Sequence, residues 1–419
     1  MTSKIVGPRG APDLFPPVSR LHELIIGRAA EQFRRFGYQR IETPVFESTE
    51  LFEKGLEPGS DVVTKQMYTF EDRGGRSLTL RPDMTAPVVR SILQHRLEDQ
   101  LGRPVKLYYV SAIFRQERPQ AGRQRQFTQV GVEAVGSAGP EIDAEVILLA
   151  TEIYKSVGLQ VSLAVNSIGH PACRYDYIPR LQEYLRSVEQ DLCADCRRKV
   201  ESNPLRTFDC KVDNDRKLLQ DAPLIVDQLC GECGAHYQAV KQLLDSWGID
   251  YVEDPRLVRG LDYYTRTAFE FTAVGLGSQD AVGGGGRYDG LAESLGGRSL
   301  PGLGFGLGVE RIALALSSAG VEVPASLDAY IVTAGDRARP VAHATAAGLR
   351  QQGYSTDLDF AGRGMKGQFK AADRLGAKWA VVIGPQELES GNLTVRNMVT
   401  GEQDEVEPER LADYMAKQT

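Results

Sequence analysis

The chain has 419 residues, enough for two to four domains, and 42% of them are hydrophobic, which supplies a buried core and excludes wholesale disorder. Its 49 Lys and Arg stand against 56 Asp and Glu, a net charge of −7. Bulk charge therefore excludes a general nucleic-acid-binding module, and any polyanion must be met by local patches.

The N-terminus, MTSKIVGPRGAPDLFPP, lacks the apolar core of a signal peptide, and no apolar run approaches the roughly 20 residues of a membrane span. A cytoplasmic protein without membrane contact is expected. Leu21, Leu24, Ile25, Ala29 and Phe33 recur at helical spacing over 18–36, ending at Gly37. VKLYYVSAIF (105–114) and FTQVGVEAV (127–135) read as strands, and the polar link between them, with Pro119 and Gly122, makes a hairpin with a long loop.

Period-two alternation divides the second strand. Thr128, Val130, Val132 and Ala134 form a core face. Phe127, Gln129, Gly131 and Glu133 form the other, which suits either solvent or a flat ligand: Phe127 to stack on, space over Gly131, and Glu133 to hold an N–H. The preceding loop carries Arg115, Arg118, Arg123 and Arg125 but no lysine. Arginine binds phosphate through paired N–H bonds that lysine cannot make, so a nucleotide or nucleic-acid backbone is the expected partner.

Residues 175–250 read as a polar helical insertion, and all six cysteines lie between Cys173 and Cys233. Cys193-x-x-Cys196 and Cys230-x-x-Cys233 have the local spacing of a tetrahedral structural zinc site, with Cys210 and His236 as spare ligands. The stretch 197–229 between the pairs is longer than the usual ~15–20 residues, and reduced thiols are the alternative.

A strand signal at 267–274 precedes GGGGRYDG and then GLGFGLG entering the helix VERIALAL. Arg311 falls in the first turn of that helix, where a cation opposes the helix dipole by roughly 0.3–1 kcal/mol unless an anion binds there. Composition turns linker-like around 318–326, and the remainder reads β-α-β-α-β with a mostly parallel sheet. Lys366, Lys370, Arg374 and Lys378 recur every four residues as one helical stripe.

Together FRQERP, RQRQF, RGLDYY and GLGFGLGVER, in this order, resemble the class II aminoacyl-tRNA synthetases and, within them, the histidyl-tRNA synthetase family. YQRIETP (38–44) is similar to that class's first motif, 111–135 to its second and 301–316 to its third; KGQFKAADRLGAKWAVVIG is similar to the anticodon-binding domain. The resemblance covers nearly the whole chain. It implies an α+β catalytic domain on an antiparallel sheet flanked by helices (1–320), a helical insertion at about 175–250, a linker at 321–328 and a C-terminal α/β anticodon-binding domain (329–419). The activity it implies is ligation of L-histidine to tRNA(His) through histidyl-adenylate, with ATP and Mg2+, by a homodimer. A histidine-sensing regulatory paralogue is the second reading; such paralogues typically lack RGLDYY and the anticodon domain.

Residue by residue, the resemblance gives catalysis to Arg115 and Arg259, at the α-phosphate. Arg115, Phe127 and Arg311 would bind ATP. Asp83, Met84, Thr85, Arg115, Gln129, Glu133, Arg259, Tyr263 and Tyr264 would bind histidine, with Glu133 and Tyr264 on its imidazole nitrogens. Arg118, Gln120 and Arg123 would face the tRNA acceptor end. Asp83 stands where the family more usually carries glutamate, one methylene longer, and Asp83 or Thr85 also suits a helix cap near Pro87. Strand alternation would turn Tyr263 away from Tyr264, toward the core.

Overall fold

The structure is a computed structural model that describes residues 5–55, 66–120, 122–259, 263–276, 280–321 and 327–417. The chain divides into two compact units, 1–322 and 323–419. No helix among the described residues is long and apolar enough to cross a membrane.

The first unit is built on an eight-stranded sheet. Its six central strands run in the order Val105–Phe114, Gln126–Val135, Gly302–Gly308, Ala281–Arg287, Thr265–Thr272 and Ser162–Ser167, all antiparallel. Two-residue strands, Gln39–Arg40 and Val252–Glu253, add in parallel at the two edges. The predicted core face of the hairpin strand is buried: Val130, Val132 and Ala134 pack with Phe33, Ile147, Ile153, Phe305 and Leu307 under the helices Val18–Arg35, Pro140–Ser156 and Val309–Ser318. The first of these ends one residue before the expected stop, because Gly37 takes a positive φ of 77° that an L side chain resists.

The insertion does not form one body over 175–250. Tyr177, Leu181, Leu185, Cys196, Val200, Leu219 and Ile225 make its own small core. Tyr237, Val240 and Leu244 of the helix Gly231–Ser246 join the main core instead.

The second unit carries a five-stranded sheet, ordered Thr356–Leu358, Leu327–Thr333, Ala377–Ile383, Leu393–Asn397 and Gln403–Val406. Only the first three strands are parallel; the last two form an antiparallel hairpin missed in the sequence, whose turn uses Gly401 at φ 79°. The basic stripe is shorter than expected. The helix Met365–Arg374 stops at Gly376, φ 65°, so Lys378 lies on the next strand and pairs with Asp328.

Candidate active site

A cavity of about 1100 Å³ opens on the sheet face opposite the main core. Among its lining residues are Asp83, Thr85, Tyr109, Arg115, Phe127, Gln129, Arg259, Tyr263, Tyr264 and Arg311.

The glycine-rich strand explains how polar side chains lie flat on this face. Alternation sends Leu303, Phe305 and Leu307 into the core and leaves Gly304 and Gly306 on the cavity side. A Cβ at Gly306 would lie 2.1 Å from Gln129 Nε2, and one at Gly304 would lie 2.0 Å from Glu133 Oε2. Both positions must be bare for Gln129 and Glu133 to cross over the neighbouring strand. Among the described residues Gln129 Oε1 is buried without a hydrogen-bond partner, an acceptor held ready for a donor.

Gly131 serves another purpose than predicted. Its register partner Tyr109 lies over it: a Cβ there would sit 2.4 Å from the phenol oxygen. The expected ligand space is filled by this ring, which itself lines the cavity. Alternation on the adjacent strand could have found Tyr109.

Glu133 is fully buried and is not among the lining residues. Thr85 Oγ1 donates to it at 2.8 Å, and Tyr288 OH donates to its other oxygen. Burial, with a smaller contribution from Asp83, pushes its carboxyl up to about 8, against the pull of the two hydroxyls. Above it, Tyr263 OH donates to Thr85 Oγ1 at 3.2 Å and lies 3.4 Å from Asp83 Oδ2. Tyr263 packs against the core as expected but does not face away from Tyr264: the strand starts only at Thr265, the turn before it escapes alternation, and Tyr263 and Tyr264 both line the cavity with ring centroids 4.7 Å apart. Asp83 is buried, which raises its pKa, while the Arg115 charge opposes that. Met84, the residue at the cap position, is buried in a core cluster and is absent from the cavity lining; the helix itself starts at Thr85.

Arg115 is positioned by Nε donating to Pro82 O at 2.9 Å, and its guanidinium stands 5.5 Å over the Phe127 ring. Arg259 is held by an ion pair with Glu270 and by Arg206, whose Nη1 donates to the Arg259 carbonyl at 2.6 Å. Its guanidinium passes close over Gly284, where an added Cβ would meet Nη1 at 2.8 Å. Arg311 sits in the first turn of its helix, and its Nε donates to Ala281 O. Burial, and next the Arg123 charge, lowers its pKa, so an anion beside this pair relieves repulsion. Glu310, beside it, escaped notice in the sequence: its Oε1 accepts the Thr128 N–H at 2.8 Å and ties the hairpin to the helix.

The hairpin loop separates the other arginines. Arg118, Gln120 and Arg123 are exposed, Arg123 also lines the cavity, and reciprocal backbone bonds between Gln120 and Arg123 (3.0 and 2.9 Å) close the loop tip. Arg125 instead does structural work: its Nε donates to Glu117 O at 3.2 Å and its Nη1 to Arg9 O at 3.4 Å.

The cysteine pairs do not converge on one centre. Cys230 and Cys233 meet His170 and Cys173; Cys193 and Cys196 meet Cys210 and Asp215. Each pair starts a different helix, which keeps them apart. Of the two spare candidates Cys210 joins a cluster, whereas His236 Nε2 lies 3.2 Å from Asp143, itself paired with the buried Arg287.

An antiparallel sheet bearing paired arginines over a polar cavity, beside a glycine-rich strand that runs into an arginine-bearing helix, defines a class II aminoacyl-tRNA synthetase. Similarity to known proteins narrows this. Residues 10–312 match the family model for histidyl-tRNA synthetase, and 328–418 match that of an anticodon-binding domain. The chain is 48% identical over 416 residues to a histidine–tRNA ligase of Halothermothrix orenii, covering 99% of both chains, and 48% identical over 413 residues to that of Moorella thermoacetica. The crystal structure of apo Staphylococcus aureus histidyl-tRNA synthetase superposes with a TM-score of 0.77 at 42% identity, covering 98% of this chain and 100% of that one. The chain belongs to the histidyl-tRNA synthetase family. A Bacillus halodurans structure titled an ATP phosphoribosyltransferase regulatory subunit/histidyl-tRNA synthetase shares the fold at 24% identity, with a TM-score of 0.66.

Proposed function

We propose that this histidine–tRNA ligase activates L-histidine with ATP to histidyl-adenylate, releasing pyrophosphate, and then transfers histidine to the 3′ end of tRNA(His). The observation that carries the mechanism is the entry of Arg115 and Arg259 into one cavity from two separate connecting segments, one just after the strand Val105–Phe114 and one before the strand Thr265–Thr272. Attack of the histidine carboxylate on the α-phosphorus places charge on the equatorial oxygens. Two guanidiniums held by Pro82 and Glu270 stabilise that charge without reorganising, so positioning and electrostatics accelerate the step.

Adenine stacks on Phe127, and Arg311 takes the γ-phosphate. Asp83, Thr85 and Gln129 hold the α-amino group; the shorter Asp83 is aided by Tyr263. Tyr264 bonds one imidazole nitrogen, and Glu133 bonds the other once its Thr85 hydroxyl bond is exchanged. A ligand without those nitrogens leaves buried polar groups unpaired and is rejected. Glu310 lines the cavity, and its Oε2 is buried without a hydrogen-bond partner among the described residues, which fits it to hold Mg2+, and that ion would neutralise the phosphates.

Arg118, Gln120 and Arg123 contact the acceptor end, and Lys366, Lys370 and Arg374 supply phosphate contacts in the anticodon-binding domain. A homodimer accords with the exposed apolar Val45, Phe46 and Phe70 beside the first-motif segment. The regulatory reading is disfavoured by Arg259, Tyr263 and Tyr264 in the cavity and by the anticodon-domain match. Histidine-dependent exchange of pyrophosphate into ATP tests the proposal; its absence rejects the two-step mechanism.

A further inference from the structure

We propose that the insertion holds two separate zinc ions, one on His170, Cys173, Cys230 and Cys233 and one on Cys193, Cys196, Cys210 and Asp215. In each set the four ligand atoms all lie within 4.8 Å of one another. Tetrahedral zinc with bonds of ~2.3 Å to sulfur places two thiolates ~3.8 Å apart. Cys193 Sγ lies 3.9 Å from Cys210 Sγ, and Cys230 Sγ lies 3.8 Å from His170 Nε2. A disulfide would need ~2.05 Å, and all six cysteines are free.

Local structure has already turned the sulfurs inward. Cys193 and Cys230 are the N-cap residues of their helices, and each Sγ accepts the backbone N–H of the second cysteine of its pair at 3.4 Å. Cys173 Sγ accepts the Cys230 N–H at 3.3 Å, and Cys210 Sγ the Val212 N–H at 3.5 Å. Such N–H···S bonds favour the thiolate, the form that binds metal. Asp215 is 1% exposed among three thiols, and among the described residues no Lys or Arg pairs with it. A buried carboxylate without a cation is costly, and a divalent ion supplies the missing charge. His170 Nδ1 accepts the Cys173 N–H at 3.2 Å. Metal on Nε2 moves the ring proton to Nδ1, so this bond is exchanged for the metal bond.

Placement gives both ions a purpose. The first set joins the starts of the helices Pro171–Ser187 and Gly231–Ser246, where the chain leaves and rejoins the main core. Beside it, Arg174 donates to the Tyr264 carbonyl and Glu232 pairs with Arg266, so this site fixes the start of the strand Thr265–Thr272 and the turn before it that carries Tyr263 and Tyr264. The second set includes Cys210, which lines the cavity with Lys211, Asp213 and Arg216, so this site sets the insertion's wall of the cavity.

The test is metal content of the full chain purified from zinc-replete medium under reducing conditions, a readout independent of ligase activity. Elemental analysis should find about two zinc per chain, and about one in each of the variants Cys230→Ser and Cys210→Ser. Because a variant can fail to fold, wild-type protein stripped and reloaded with Co2+ is also examined; thiolate-to-cobalt charge-transfer absorption of tetrahedral type should saturate at two equivalents. Less than about 0.2 zinc per chain with no such absorption overturns the proposal. So does a single equivalent that either variant abolishes, which would mean one shared centre.

Discussion

Thr85 Oγ1 donates to Glu133 Oε1 at 2.8 Å, joining the first turn of a helix to the middle strands of the sheet. This bond, with that of Tyr288, is what a fully buried carboxyl has in place of water. Burial nonetheless pushes Glu133 up to about 8 from an ordinary 4.5. Between those values the folded chain holds a proton that the unfolded chain has released. Stability contributed here therefore falls as pH rises from about 4.5 to about 8. Glu133→Gln should flatten that slope in thermal denaturation measured across the window, while raising KM for histidine. An unchanged slope would refute the assignment.

Arg259 should matter to chemistry more than to assembly. Arg259→Ala should cut pyrophosphate exchange by about 10²–10³-fold, the size of effect seen when one preorganised transition-state donor is lost. Sedimentation should show the oligomeric state of the wild type. Near-normal exchange would remove Arg259 from the mechanism.

The bare strand offers a graded pair. At Gly304 an added Cβ meets Val132 O at 2.4 Å as well as Glu133, so backbone must shift. Gly304→Ala should lower unfolding stability by about 1–3 kcal/mol, read by denaturant titration. At Gly306 the close neighbour is the Gln129 amide, a side-chain end that can swing away. Gly306→Ala should keep most of the stability and instead raise KM for histidine more than KM for ATP.

Arg123 is exposed on the loop tip and pairs with Glu117 only at 3.5 Å. Because Arg123 also lines the cavity near Arg311, Arg123→Ala should lower pyrophosphate exchange only modestly but raise KM for tRNA in aminoacylation more strongly, reducing the salt dependence of tRNA binding by about one phosphate contact. Equal losses in both assays would place Arg123 in the ATP site instead.

Much of this was legible because it depends on local periodicity. Alternation separated Val130, Val132 and Ala134 from Gln129 and Glu133, since a pleated strand turns successive side chains to opposite faces. The arginine-rich loop was readable from residue type alone, because only guanidinium offers paired donors to phosphate. Motif order was enough to identify the family, as its segments are spaced along nearly the entire chain.

Tertiary structure decided what lies next to what. Tyr109 over Gly131 depends on cross-strand register, and the shared facing of Tyr263 and Tyr264 depends on where a strand begins. Arg125 bonds Arg9 across a long stretch of chain, so its structural role has no local signature. The cysteines show the division most clearly. Sequence spacing supplied two Cys-x-x-Cys turns, because that spacing curls two sulfurs together at a helix start. Which further ligands complete each turn was set by packing: two helices that begin on either side of the insertion bring His170 and Cys173 to Cys230 and Cys233, and leave Cys193 and Cys196 to Cys210 and Asp215.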